Sequence, residues 1–219
     1  MLGANLRSPA LILIGQYDSP FVRRVAIAMH LYGIAFEHRP WSVFGDATKI
    51  APYNPLTRVP TLVLDDGEVV IESAAILYYL DELAGEEKAM IAPFGPERRR
   101  ALKICALATG LADKAVSLVY EAVLRKDRSE VWVERCKTQI AGVLDALEAD
   151  RADRPTAWWF GDRIGHADIA VACALRFTNE AHPGLLGNKH WPRLEALSAE
   201  CEVLPVFQEN AQAVSPPKA

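Results

Sequence analysis

The sequence predicts a mixed α/β first domain over residues 10–85 and an all-helical second domain over residues 93–214. Two observations support this fold class. In the first 85 residues, short β-branched runs alternate with helical apolar spacing, whereas no convincing strand run occurs after residue 90. A chain of 219 residues is long enough for one or two domains.

The first strand is predicted over residues 11–15, a short apolar run that ends in glycine. A helix over 20–32 follows, with Gly33 as its stop, and then a second strand over 35–39. Because strand-helix-strand crossovers are right-handed, these two strands are expected to be parallel. The remaining predicted elements are one helical turn over 46–50, strands over 61–64 and 68–71 joined by the hairpin signal Asp65-Asp66-Gly67, and a helix over 73–83.

The second half contains only helical patterns. Residues 85–96 are rich in glycine and proline and form a linker. The expected helices cover residues 97–124, 130–150, 166–179, 191–200 and 205–214, and the aromatic run at 158–160 is expected in the core.

Composition excludes several kinds of partner. The formal net charge of −4 argues against nucleic acid, because phosphate binding needs a basic surface. The four cysteines lack disulfide or metal spacing, which is typical of a reduced, cytoplasmic protein without a metal. No apolar run approaches the ~18 residues of a membrane span. The first nine residues, predicted to be a loose lead-in, lack a signal-peptide core, and a frayed tail is expected from residue 215.

The strongest candidate for chemistry follows the first strand, where Ser19 precedes Pro20 at a predicted helix start. Serine as N-cap and proline at the first helical position form an ordinary start signal, and most such pairs are only caps. The same hydroxyl also lies in the positive potential of a helix N-terminus. There it can donate to a bound anion and favour the thiolate form of a bound thiol.

Two further sites flank the hairpin. Arg58, Val59 and Pro60 precede a predicted strand, and a proline there marks an edge or a bend. Local statistics favour a trans Val59–Pro60 bond, while a cis bond would turn the Val59 backbone outward towards a peptide-like ligand. Ser73 is predicted as the N-cap of the next helix. With Glu72 beside it, this helix start could receive a zwitterionic group.

A structural cap is predicted in the helical half. With Gly165 as N-cap, Asp168 is the third helical residue and can accept from the Gly165 N–H, while Ile164 and Ile169 form a hydrophobic staple. His166 has no second histidine or carboxylate at metal spacing and is predicted to be a surface residue.

The order of these parts resembles the soluble, cytosolic-type glutathione transferase superfamily over nearly the whole chain. Its serine-type start is similar to the tau and omega classes and to related bacterial members. Each motif alone is weak, but together and in this order they are specific. They are residues 19–25 (SPFVRRV), 54–60 (NPLTRVP), 72–76 (ESAAI), 160–162 (FGD) and 167–169 (ADI).

The resemblance implies a thioredoxin-like first domain with a mixed four-stranded sheet, a cis Pro60 and a homodimer active in detoxification. Glutathione is the implied co-substrate. Ser19 would hydrogen-bond its sulfur, and Arg58 would lie near its glycyl carboxylate. Val59 would pair with the cysteinyl part, and Glu72 and Ser73 would hold the γ-glutamyl end.

The implied reaction is attack of the glutathione thiolate on a small hydrophobic electrophile in an apolar pocket between the domains. The expected pocket walls are Tyr17, Phe21, Trp41, Phe44, Leu107 and Leu111. Tyr17 is the alternative thiol activator to Ser19, because some classes use a tyrosine from this region.

The sequence is also compatible with functions other than conjugation. The first cysteine, Cys105, lies in the helical half, so a mixed-disulfide mechanism, which needs a thiolate at the first helix start, is disfavoured. Glutathione-dependent isomerase or peroxidase activity needs only an activated glutathione. A non-catalytic module that binds glutathione or a hydrophobic ligand is the remaining alternative.

Overall fold

The computed structural model describes residues 11–215. The predicted lead-in over residues 1–9 and the tail over 216–219 lie outside the described residues. The elements are β1 (Leu11–Ile14), α1 (Pro20–Tyr32), β2 (Phe36–Arg39), α2 (Ala47–Ile50), β3 (Thr61–Val63), β4 (Val69–Ile71), α3 (Ser73–Ala84), α4 (Gly95–Leu124), α5 (Glu130–Ala152), α6 (His166–Ala181), α7 (Pro192–Glu202) and α8 (Pro205–Glu209).

The four strands form one mixed sheet in the order β2-β1-β3-β4. β1 pairs in parallel with β2, as a right-handed crossover through α1 requires, and antiparallel with β3. The β3–β4 hairpin completes the sheet. This arrangement confirms the predicted thioredoxin-like domain followed by a helical domain, while the exact domain limits 10–85 and 93–214 stay a prediction.

The sheet is covered on both faces. On one face, Leu13 of β1 packs with α1 and α3 in a core that includes Val25 and Leu80. On the other, Ile14 and Val63 pack with Ile50 of α2. Alternate side chains of a strand point to opposite faces, so neighbouring residues of β1 enter different clusters.

The helical half has its own core, with α4, α5, α6 and α7 packed together. Trp159 is fully enclosed there, as expected for the aromatic run. α6 carries alanines at 167, 170, 172 and 174, all buried, which lets neighbouring helices approach closely. α1 packs against α6 and contributes Ile27 to this core, so the two halves share a boundary at α1. None of the described helices is long and apolar enough to cross a membrane.

Two predictions about the helical half were wrong. His166 is 4% exposed rather than on the surface, because its Nε2 lies 2.8 Å from Asp81 Oδ1. The last helix ends at Glu209 and does not reach residue 214. The Asn210 side chain donates to the Val206 carbonyl at 2.7 Å as α8 ends, and residues 211–215 then run outside any helix.

The predicted cap at the start of α6 is confirmed. The Gly165 N–H donates to Asp168 Oδ2 at 2.9 Å. The other oxygen of Asp168 accepts from the Trp159 N–H at 2.9 Å, a contact that the local sequence does not predict.

Candidate functional site

Ser19 lies between the end of β1 and the start of α1, as predicted. It is the N-cap of α1, and its Oγ accepts from the Val22 N–H at 3.4 Å. Gly15 allows the chain to turn here: its φ is 131°, and a Cβ on it would lie 2.5 Å from Val22 Cγ2 and 2.8 Å from Val59 Cβ. Glycine therefore lets the Val59 loop approach the helix start that holds Ser19.

The Val59 loop is held from inside by Asn54, which is 2% exposed. Its Nδ2 donates to the Arg58 carbonyl at 2.9 Å and to Thr61 Oγ1 at 3.2 Å, and its Oδ1 accepts from the Leu56 N–H at 3.0 Å. Asn54 begins the 54–60 motif, but no local pattern predicts these contacts. A buried asparagine that satisfies a loop backbone acts as a positioning residue.

The Val59–Pro60 peptide bond is cis, which confirms what the resemblance implies. Within residues 11–215, neither the N–H nor the C=O of Val59 has a hydrogen-bond partner. Val59 is half-buried and Pro60 is buried beneath it. The Val59 backbone is thus available to a peptide-like ligand.

The start of α3 differs from the prediction in one respect. Glu72, not Ser73, is the N-cap, and Ser73 is the first helical residue and is buried. Glu72 has φ 69° and ψ 123°, an uncommon conformation for a residue with a side chain. Its carboxylate lies 3.7 Å from Arg58 Nη1, and both side chains are more than half exposed.

A cavity of about 150 Å³ opens beside Ser19, between the first domain and the helical half. Ser19, Arg58 and Val59 line it, together with Phe21, Trp41 and Phe44 of the predicted pocket wall. Pro60, Glu72 and Ser73 are not part of its lining. The Arg58–Glu72 ion pair places the start of α3 next to the cavity rather than within it.

Three predicted wall residues lie elsewhere, which corrects the sequence analysis. The ring of Tyr17 stacks on His38 with centroids 4.0 Å apart, and burial raises the pKa of Tyr17 to about 12. Leu111 is buried in the helical core, and Leu107 packs against the same core. On an α-helix these two leucines share one face, and that face points towards the helical core instead of the cavity.

The helical wall is formed one to three turns further along α4. Val116, Val119 and Tyr120 line the cavity, with Phe177 of α6 beside them. The spacing of the three α4 residues, i, i+3 and i+4, puts them on one face. That spacing is visible in the sequence, but many faces of a 30-residue helix show similar patterns, and only the packing identifies this one.

The C-terminal segment closes another side of the cavity, where Val214 and Ser215 are part of the lining. The Ser215 N–H donates to Asp18 Oδ2 at 3.3 Å, and Gln212 Oε1 accepts from the Tyr17 N–H at 3.1 Å. Burial raises the pKa of Asp18, although the Ser215 contact opposes this. The segment is thereby attached to the loop that precedes Ser19.

The cysteines are not placed as reactive thiolates. Burial raises the pKa of all four, to about 11 for Cys105 and about 12 for Cys173. Position 19, at the helix start, is a serine. In the described part of the chain, no three His, Cys, Asp or Glu side chains are grouped to hold a metal ion.

Both halves of the chain match known protein families. The family "Glutathione S-transferase, N-terminal domain" matches residues 13–88, and "Glutathione S-transferase, C-terminal domain" matches residues 130–200. The chain is 35% identical over 168 residues to an uncharacterised GST-like protein of Escherichia coli K12, covering 76% of this chain and 81% of that protein. It is 26% identical over 213 residues to maleylacetoacetate isomerase of Pseudomonas aeruginosa, covering 93% and 97% of the two chains.

Solved structures show the same fold. A glutathione S-transferase of Methylobacterium radiotolerans in complex with glutathione sulfonate has a TM-score of 0.83 at 29% identity, covering 95% of this chain and 99% of that one. A glutathione transferase family member of Pseudomonas fluorescens with bound glutathione has a TM-score of 0.80 at 30% identity, covering 93% and 100%. With both family domains matched in order, the chain belongs to the glutathione S-transferase family.

Proposed function

We propose that this protein is a glutathione transferase that binds glutathione in the cavity beside Ser19 and stabilises its thiolate for attack on a small hydrophobic electrophile. The observation that supports this most is that Ser19, Arg58 and Val59 line one cavity together with an apolar wall. Structural relatives from Methylobacterium radiotolerans and Pseudomonas fluorescens hold glutathione sulfonate and glutathione.

Each of the three parts of glutathione has a binding partner in this proposal. The Val59 backbone pairs with the cysteinyl part, above the buried Pro60. Arg58 attracts the glycyl carboxylate. At the start of α3, Glu72 accepts from the γ-glutamyl ammonium, and Ser73 with the helix N-terminus holds the γ-glutamyl carboxylate. The Arg58–Glu72 ion pair, at 3.7 Å and largely exposed, is weak enough to give way to the ligand.

The proposed chemistry requires ionisation of the thiol. A free thiol has a pKa of about 8.5, so only a few per cent is thiolate at neutral pH. A hydrogen bond from Ser19 Oγ and the positive potential at the start of α1 both favour the anion. Lowering the thiol pKa by about two units, roughly 2.7 kcal/mol, makes most of it nucleophilic at pH 7.

An ultraviolet difference titration of bound glutathione against pH tests this. The wild type should show a thiolate signal well below the pKa of free thiol, and Ser19→Ala should lose it together with turnover. Tyr17→Phe is the matched control and should keep the signal, because the Tyr17 ring lies on His38 outside the cavity lining.

Each other outcome of this titration rejects part of the proposal. Loss of the signal in Tyr17→Phe but not in Ser19→Ala would transfer activation to Tyr17. Binding without a shift of the thiol pKa would indicate a non-catalytic carrier. No binding at all would refute a glutathione function.

A glutathione-dependent isomerase is the second candidate, favoured by the similarity to maleylacetoacetate isomerase along 93% of the chain. Isomerisation needs the thiolate to add to a double bond and leave again, so glutathione is not consumed. A cis-enone assay that follows both product and free glutathione separates the two reactions. Formation of oxidised glutathione with a hydroperoxide would instead indicate a peroxidase.

The homodimer and a role in detoxification remain predictions that follow from the resemblance, and the cytoplasmic location remains a prediction from the cysteine content. Sedimentation equilibrium checks the first of them, since a homodimer has twice the 24.1 kDa mass of one chain.

A further inference from the structure

The cavity beside Ser19 contains a carboxylate without a cation beside it. Asp18 and Arg58 are the charged side chains in the described lining, and Asp18 is half-buried. Its partners within residues 11–215 are backbone N–H groups, including that of Ser215 at 3.3 Å, and no cation pairs with it. Burial raises the pKa of this carboxyl, as expected for an anion held partly away from water without a compensating charge.

Glutathione in the proposed position does not supply the missing cation. Its glycyl carboxylate takes Arg58, and its ammonium group lies at the start of α3. Asp18 is one residue before the N-cap of α1, where the positive potential of the helix start favours its carboxylate. The glutathione thiolate depends on the same potential. Two anions therefore share one helix start, and a positive charge on the second substrate would relieve their repulsion.

The cavity is also rich in aromatic rings. Its described lining includes the rings of Phe21, Trp41, Phe44, Tyr120 and Phe177. Aromatic faces attract organic cations, most strongly where the cation is kept from water. The Lys49 ammonium already lies 5.9 Å from the centroid of the Trp41 ring, so one ring of this wall holds a cation within the protein itself. A carboxylate beside several aromatic rings is suited to an ammonium group.

We propose that this cavity selects electrophiles that have a compact apolar body and an ammonium group, and that Asp18 is the residue that selects them. This proposal rests on the glutathione-binding function above. The carboxylate of Asp18 attracts the positive charge, and the aromatic rings surround the alkyl groups on the nitrogen. Electrophiles that carry a carboxylate are disfavoured by the same charge.

Asp18 acts on binding and takes no part in the bond changes. With a benzylic bromide, the thiolate sulfur uses an electron pair to form a C–S bond to the benzylic carbon. Bromide leaves with the electron pair of the C–Br bond, no proton is transferred, and the ammonium group is unchanged. Because the charge of the ammonium group is the same before and during the reaction, we expect the effect of Asp18 mainly in KM.

Asp18→Asn tests the proposal, because it removes the charge and keeps an oxygen for the Ser215 N–H. Steady-state kinetics at pH 7 compare 4-(trimethylammonio)benzyl bromide with 4-tert-butylbenzyl bromide, which has the same shape without the charge. We expect kcat/KM for the cation to fall by about 5- to 20-fold and that for the neutral compound to change by less than about twofold. Each substrate is compared between variant and wild type, so that differences in intrinsic reactivity cancel.

Two further variants separate local from general effects. Asp65→Asn, exposed on the hairpin and outside this cavity lining, also removes one negative charge and should change neither substrate. Phe44→Leu keeps an apolar side chain but removes a ring. It should lower kcat/KM for the cation by about 2- to 5-fold more than for the neutral compound. An equal effect of Phe44→Leu on both substrates would overturn the aromatic part of the proposal.

The results distinguish this proposal from the proposed function. A similar loss with both substrates in Asp18→Asn would mean that Asp18 only attaches the C-terminal segment, and no loss with the cation would also overturn the assignment. In the ultraviolet titration, a higher pKa of the bound thiol in Asp18→Asn would make Asp18 its proton acceptor instead. A wild type that ionises bound glutathione but does not turn over the cation would overturn the substrate class alone. A wild type that does not bind glutathione would refute both.

Discussion

Asp168 shows how one side chain can serve both local and distant structure. Its two oxygens accept from the N–H groups of Gly165 and Trp159, both at 2.9 Å, and the residue is 1% exposed. The first bond is a helix cap that follows from sequence spacing. The second bond joins the loop before α6 to the helix start. Removing the carboxylate should therefore lower the free energy of unfolding by more than loss of the cap alone.

Replacing Asp168 should therefore cost more than an ordinary cap. Asp168→Ala leaves two backbone N–H groups without their acceptor. Loss of the cap costs about 0.5–2 kcal/mol and the unsatisfied buried Trp159 N–H about 1–3 kcal/mol, so we expect a loss of about 2–5 kcal/mol. Urea denaturation measures it. Asp162→Ala, an exposed aspartate in the same loop, should change stability by less than about 0.5 kcal/mol. Equal midpoints for the two variants would contradict this account.

At the scale of elements, α1 is attached to the C-terminal helices through Arg23. The guanidinium is 3% exposed and makes paired contacts with Glu202 at 2.6 and 2.7 Å. It also donates to the carbonyls of Asn210 at 3.0 Å and Phe207 at 2.8 Å. Because Ser19 caps the same helix, this attachment also sets the direction in which the helix start faces the cavity.

Weakening one partner of the Arg23–Glu202 pair should lower the free energy of unfolding. Glu202→Gln leaves a buried guanidinium with a weakened partner, and we expect a loss of about 2–4 kcal/mol, near the lower end for a broken buried pair. Arg193→Ala, which removes a half-exposed partner of Glu148, should cost about 1 kcal/mol or less. A double-mutant cycle with Arg23→Met should show strong coupling to Glu202, and additive losses would exclude it.

At the scale of the molecule, a buried polar cluster links the two domains. Asp81 of α3 accepts from Tyr32 of α1 and lies 2.8 Å from His166 of α6. The Tyr32 hydroxyl in turn accepts from the Met90 N–H at 2.8 Å in the linker. The cluster therefore joins three helices and the linker at the boundary between the sheet domain and the helical domain.

We expect this cluster to make the domains unfold together. In the wild type, hydrogen exchange during urea denaturation should give one midpoint for both domains. Asp81→Ala removes the shared acceptor and should separate the midpoints, whereas Glu82→Ala, exposed on the same helix, should not. A single shared midpoint in Asp81→Ala would show that apolar packing alone couples the domains.

The predictable features of this chain are those that depend on residues within about four positions of each other. The Ser-Pro start of α1, the hairpin between β3 and β4, and the capping box of α6 are all present at their predicted places. Their signals are local because hydrogen bonds in helices and turns join near neighbours. Ser19 was predicted as a site residue for the same reason, because the signal that marks it is an ordinary helix cap.

Tertiary structure alone decided the features that join distant residues. His166 is buried because its Nε2 pairs with Oδ1 of Asp81, 85 positions away. The last helix ends early, and the segment after it reaches the cavity at Val214 and Ser215. Gln212 of this segment accepts from the Tyr17 N–H, 195 positions away. Val116, Val119 and Tyr120 line the cavity instead of the predicted Leu107 and Leu111. The way α4 packs against the first domain determines which face of this helix meets the cavity. A sequence records which faces are apolar, but the packing of one element against another determines what each face meets.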